Sequence, residues 1–126
     1  MVKNNVRAKR FKKVGLHTSL LDKNSSAIGK HIEEILSYKG IKTLYDETFS
    51  KLNKSKIQTH TDQYILKNSD LVIAIGGDGA MLSCSRKYGA KDIPILGINL
   101  GKVGFLTDIA PDEVTSKLLE VIEGNY

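Results

Sequence analysis

Asp78 is the one acid in a run of glycines, Gly76-Gly77-Asp78-Gly79. A carboxylate can take a proton from a hydroxyl or orient a cation, and glycines without a Cβ let backbone N–H groups close on a phosphate. A second glycine-containing stretch, Asn99-Leu100-Gly101-Lys102-Val103-Gly104, lies downstream and runs into Phe105. Two common phosphate patterns do not fit. The dinucleotide fingerprint needs a glycine three residues after Gly79, where Leu82 stands. The P-loop needs four residues between its glycines and a hydroxyl after its lysine, whereas Gly97 and Gly101 enclose three and Val103 follows Lys102. A helix beginning just after Gly79 would add unpaired N–H groups and a dipole that favour an anion.

These residues need strands and helices to place them. Leu71-Val72-Ile73-Ala74-Ile75 is apolar without alternation, as a strand buried on both faces of a parallel sheet must be. Its carboxyl end carries the glycine turn, the usual ligand edge of an open α/β sheet. Lys13 to His17 reads as a first strand. A helix follows, with Asn24 or Ser25 as cap, Ile28, Ile32 and Ile35 on one face and Gly40 past its end. Ile41 to Tyr45 makes a second strand. Asp46 to Gln63 is polar and reads as a surface excursion, with a short helix around Gln58 to Leu66 and solvated Lys51, Lys54 and Lys56. Ala80 to Tyr88 forms the helix after the turn, ended by Gly89. Ile95 to Ile98, opened by Pro94, is another strand buried on both faces. A last helix starts near Pro111, buries Val114, Leu118, Val121 and Ile122, and stops at Gly124. The alternation predicts a three-layer αβα fold around an open, mostly parallel sheet.

Composition narrows the function classes. The 126 residues, 40% of them hydrophobic, suit one domain able to bury a sizeable core. Cys84 is the single cysteine, so no internal disulfide forms, and a buried reduced thiol in a cytoplasmic setting is expected. His17, His31 and His60 lack ligand spacing, and no metal site is expected of them; His31, beside an apolar stripe, reads as a half-buried histidine with one hydrogen bond. No apolar run reaches the roughly 20 residues of a membrane helix. The net charge of +5 is concentrated at the start, where Lys3, Arg7, Lys9, Arg10, Lys12 and Lys13 occur without an acid. Residues 1–12 read as a basic, disordered leader. No aromatic ladder or recognition helix accompanies the charge, so nucleic acid is not an expected partner.

The pairing of Ala74-Ile75-Gly76-Gly77-Asp78-Gly79 with Leu96-Gly97-Ile98-Asn99-Leu100-Gly101-Lys102-Val103-Gly104-Phe105-Leu106-Thr107-Asp108 resembles the NAD kinase family, which shares its GGDG motif with diacylglycerol kinases and phosphofructokinases. The likeness runs from about Val14 to Tyr126. It implies phosphoryl transfer from ATP, or another phosphate donor, to the 2′-hydroxyl of the adenosine ribose of NAD. It makes Asp78 the catalytic base and a contact to NAD, with Gly79 also in the NAD site and Gly76 and Gly77 at the donor phosphates. Leu82 and Phe105 match positions that pack against the adenine region, although a core role for Leu82 on its helix is an equal alternative. Mg²⁺ would arrive with the nucleotide donor. The resemblance also implies residues 13–124 as the family's N-terminal domain, residues 125–126 as the start of a link, a mainly β second domain that completes the pocket, and a homo-oligomer in the full-length protein. A chain without that second domain is expected not to turn over unaided. Ala80 departs from the hydroxyl or amide that many members carry after GGDG. The competing readings are a lipid or sugar kinase with the same turn and a non-catalytic nucleotide-binding module.

Overall fold

The structure, a computed structural model, describes residues 11–19, 23–50, 58–99 and 111–123, without the side chains of residues 23, 24, 78, 99, 111 and 112. In chain order the elements are β1 (Lys13–Thr18), α1 (Lys23–Tyr38), β2 (Lys42–Asp46), a 3₁₀ turn (Glu47–Phe49), β3 (Thr59–His60), α2 (Asp62–Asn68), β4 (Leu71–Gly76), α3 (Asp78–Tyr88), a second 3₁₀ turn (Gly89–Lys91), β5 (Ile95–Asn99) and α4 (Pro111–Ile122). All strand pairs are parallel, in the order β3-β2-β1-β4-β5. The chain therefore builds outward from β1 to one side through β2 and β3, then crosses to the other side for β4 and β5. That reversal leaves a crevice between the carboxyl ends of β1 and β4.

Alternation along the strands divides the core in two. Val14, Leu16, Leu71, Ile73 and Ile75 join Ile32 and Leu36 of α1 and Val114, Leu118 and Val121 of α4 on one face. Val72, Ala74 and Leu44 meet Ile65 of α2 and Ala80, Cys84 and Tyr88 of α3 on the other. This is the expected three-layer αβα arrangement. His31 of α1 reaches Thr115 of α4 through Nε2 at 3.1 Å, the half-buried histidine anticipated from its place beside the stripe.

α1 ends as its sequence requires. The Ile41 amide donates to Leu36 O at 2.8 Å and the Gly40 amide to Ser37 O at 3.0 Å, a Schellman closure in which Gly40 takes φ +75°. The start of α1 differs from expectation. Asn24 and Ser25 lie inside the helix rather than capping it, because the helical backbone already includes Lys23.

The polar segment after β2 holds more structure than its composition suggested. Asp46 caps a 3₁₀ turn that buries Phe49, Thr59–His60 adds the edge strand β3, and Thr61 caps α2 by accepting the Tyr64 amide at 3.2 Å. The helix expected around Gln58 to Leu66 thus runs Asp62–Asn68, displaced by the strand before it. Residues 51–57, with Lys51, Lys54 and Lys56, lie outside the described residues.

Gly89 does not stop α3 through a left-handed turn. It stays helical and leads into the second 3₁₀ turn, and Asp92 takes φ +61° instead. β5 is less buried than a fully covered strand: Ile98 is buried, Ile95 and Leu96 are half-buried and Gly97 is exposed. Residues 1–10 of the basic leader lie outside the described residues, whereas Phe11 joins the core and the Lys12 and Lys13 amides donate to Asp70 Oδ2 at 2.6 and 3.0 Å.

Cys84 is fully buried beneath α3. Burial first, then the negative charge of Asp46, pushes its thiol up to about 12, with Lys87 opposing. Thiolate is the reactive form. Alkylation of Cys84 by iodoacetamide at mildly alkaline pH is therefore expected to be at least about tenfold slower than in denaturant. Equal rates in both conditions, read by mass spectrometry, would contradict that burial.

Candidate functional site

The glycine turn occupies the crevice edge. β4 ends at Gly76, whose φ of +142° is a conformation that a side chain strains. A Cβ there would also meet Ala80 Cβ at 3.0 Å, so close passage of the backbone over α3 depends on glycine. Gly77 is the extended residue before α3, and its carbonyl accepts the amides of Ala80 at 3.1 Å and Met81 at 3.3 Å. Asp78 and Gly79 are the first two residues of α3. Amides at the first positions of a helix have no partner within it, so the turn offers donors where β4 ends and a helix dipole begins.

Gly76, Gly77, Asp78 and Gly79 are brought together, as the sequence required of one motif. Leu82 is 61% exposed on α3, so its alternative reading as a core residue does not hold among the described residues. Phe105 and the rest of the second glycine loop from residue 100 onward lie outside the described residues, as does Gly124.

Ser19 was not foreseen. The register places Thr18 beside Ile75, so Ser19 follows alongside the start of the turn. Its Oγ lies 3.7 Å from where a Cβ on Gly76 would stand and 3.8 Å from the same point on Gly79. The only sequence signal was its place just past a strand's carboxyl end, which becomes informative once β1 and β4 are known to be neighbours.

Beneath α3 lies a second unforeseen feature. β1 directs His17 towards α3, and β2 directs Asp46 the same way, with the side chains 1% and 0% exposed. His17 Nδ1 meets Asp46 Oδ2 at 2.7 Å, and Nε2 meets Ser83 Oγ of α3 at 2.7 Å. Asp46 Oδ2 also accepts the Tyr88 hydroxyl at 2.6 Å, while Oδ1 accepts the Thr48 amide at 2.9 Å and the Thr48 hydroxyl. Thr48 Oγ1 in turn accepts the Thr18 amide at 3.0 Å, and Thr18 Oγ1 donates to Ile75 O at 2.9 Å. Burial alone would push the Asp46 carboxyl up, but the hydrogen bonds from His17, Thr48 and Tyr88 and the neighbouring His17 charge outweigh it and hold the group below the usual carboxylate range. Burial and the bond to Asp46 push the Tyr88 hydroxyl well up, so it stays protonated. A polar residue in step with buried apolar neighbours on a doubly covered strand implies a buried partner, and that parity was the available signal for His17 and Asp46.

Among the described residues no group of three or more His, Cys, Asp or Glu side chains could hold a metal ion, and no helix is long and apolar enough to cross a membrane.

Residues 9–126 match the family described as the ATP-NAD kinase N-terminal domain. The chain is 35% identical over 118 residues to an NAD kinase of Saccharophagus degradans and 34% identical over 118 residues to one of Pseudomonas entomophila. Each match spans 93% of this chain and 40% of the relative, so the chain corresponds to about two-fifths of those proteins. Among solved structures, yeast NADH kinase complexed with NADH superposes with a TM-score of 0.70 at 20% identity, over 93% of this chain and 39% of that one, which is a likeness of fold.

Proposed function

The chain belongs to the NAD kinase family, carrying its N-terminal domain, and on that premise we propose that it supplies the GGDG half of a site that phosphorylates the adenosine 2′-hydroxyl of NAD. The observation that carries this reading is the strand–glycine turn–helix at the β1/β4 reversal, where the first amides of α3 and the family's acid, Asp78, share one edge. Transfer of a phosphoryl group passes through a loose transition state, so catalysis is mostly positioning and charge stabilisation. Asp78 would orient the ribose hydroxyl and accept its proton as the bond to phosphorus forms. The amides of the turn would face phosphate oxygens, with the Ser19 hydroxyl within reach of the same space. Exposed Leu82 offers an apolar surface for the adenine region, a role proposed also for Phe105. The donor would enter as its Mg²⁺ complex, the cation being part of the substrate.

The region of the relatives that the match leaves uncovered would complete the pocket, in a cytoplasmic homo-oligomer. The test joins this chain to the uncovered part of the Saccharophagus degradans relative and assays NADP formation from NAD, ATP and Mg²⁺, beside the chain alone. Turnover by the joined protein and none by the chain is expected. A joined protein that folds yet phosphorylates a lipid or a free sugar in preference to NAD overturns the substrate assignment.

A further inference from the structure

We propose that His17, acting through Ser83, is a positioning residue for the glycine turn. Three residue types that activate a nucleophile in hydrolases meet here, but Ser83 sits in the middle of α3 and His17 is 1% exposed. An acyl donor would find neither entry nor preorganised backbone donors, since amides inside a helix are spent in its ladder. The geometry serves orientation instead.

The remaining inward face of α3 is Ala80, Cys84 and Tyr88, whose apolar contacts are not directional. Ser83 and Tyr88 supply direction: one bonds His17 of β1 and the other Asp46 of β2, five residues apart on the helix, a span of about 7.5 Å. Two such anchors fix both the tilt and the roll of α3. A roll of about 10° would move backbone atoms at a radius of about 2.3 Å by roughly 0.4 Å and side-chain tips by more. Productive geometry tolerates only about 0.5 Å.

The link to the turn is short. With the ring neutral, Nδ1–H donates to Asp46 and Nε2 accepts the Ser83 hydroxyl. With the ring doubly protonated, Nε2–H donates to Ser83 Oγ, whose own hydrogen is then directed to Ala80 O, 3.3 Å away. Ala80 is tied by its amide to Gly77 O and packs where Gly76 has no Cβ. The ring state therefore decides whether the first turn of α3 holds the Ser83 hydroxyl. The groups facing this centre are Asp46 from β2, Ser83, Cys84 and Tyr88 from α3, and Asp62 from α2, which accepts from Tyr88 at 3.3 Å and pairs with Lys87 at 3.6 Å.

The functional consequence rests on the NAD kinase reading; the coupling does not. The test uses the isotopically labelled chain, its Ser83→Ala and Ser83→Thr variants, and Asp78→Asn as a reference. Amide signals of Gly79, Ala80 and Met81 are expected to be displaced in Ser83→Ala and to keep the parent's positions in Ser83→Thr. Hydrogen exchange at the Ala80 and Met81 amides, both held by Gly77 O, is expected to quicken by about tenfold in Ser83→Ala, with exchange in β2 unchanged. Turn amides in Ser83→Ala that keep the parent's positions, or that exchange as in the unaltered chain, overturn the proposal. Calorimetry with NAD separates the two readings. If neither the unaltered chain nor its fusion to the relative's remainder binds NAD while the turn responds as expected, the site assignment fails and the coupling stands. If the fusion binds NAD, with Asp78→Asn weakening it by less than about tenfold, while Ser83→Ala leaves the turn unaltered, the coupling fails and the site stands.

Discussion

Replacement of Asp78 by asparagine is expected to lower NADP formation by about 10²- to 10⁴-fold in the joined protein, the range over which a general base acts. Asparagine keeps the size of the side chain and the helical backbone at the first residue of α3, but it cannot accept the ribose proton. The loss should fall on kcat, with KM for NAD changing by less than about tenfold, because only an interaction made in the transition state has been removed. A negative charge at a helix start also contributes roughly 0.3–1 kcal/mol of stability. Thermal unfolding should therefore shift by only a few degrees, which separates lost chemistry from lost fold. A variant with kcat within about threefold of the parent would remove Asp78 from the mechanism.

The largest effect on stability is expected at Asp46. Alanine there would leave the His17 ring, the Tyr88 hydroxyl and both Thr48 donors facing a hole beneath α3. Each buried donor left without its acceptor costs about 1–3 kcal/mol, against a total of roughly 5–15 kcal/mol for a domain. Urea titration near neutral pH should show a midpoint lowered accordingly, and a midpoint unchanged from the parent would refute the importance of the cluster. The pH dependence has a definite sign. The folded carboxyl lies below its unfolded value, so its stabilisation is fully present above the ordinary aspartate range and is lost as pH falls through the depressed folded value. The acid limb of the stability curve should flatten in Asp46→Asn, and an identical limb would contradict the assignment.

Legibility in the sequence followed the balance between local pattern and distant pairing. Leu71 to Ile75 could be read as a central strand because five apolar residues in a row admit few alternatives, and α4 because Val114, Leu118 and Val121 recur at helical spacing. The GGDG turn was visible as a motif at a strand's carboxyl end, whereas its place at the β1/β4 reversal needed the sheet order. β3 escaped detection because two polar residues, Thr59 and His60, carry no periodicity, and their strand exists by pairing with Tyr45 and Asp46. His17, Asp46, Ser83 and Tyr88 escaped for a related reason. Each is unremarkable alone, and the pairs are separated by 29 to 66 residues, so only the sheet order makes them neighbours. Ser25 misled as a cap because the helix already includes Lys23, two residues before it.

The sheet order also constrains how the protein comes off the ribosome. β1 is an inner strand, yet one of its two neighbours is encoded about 57 residues later, as the bond from Thr18 to Ile75 spans. At roughly 5–20 residues per second, β1 must wait about 3 to 11 seconds with its apolar edge on that side unpaired. Such an exposed edge is what chaperones hold and what neighbouring nascent chains can capture. The strand that relieves it is β4, so closure of the sheet and appearance of the glycine turn become one event in biosynthesis: a nascent chain lacks that turn until the moment it stops being sticky.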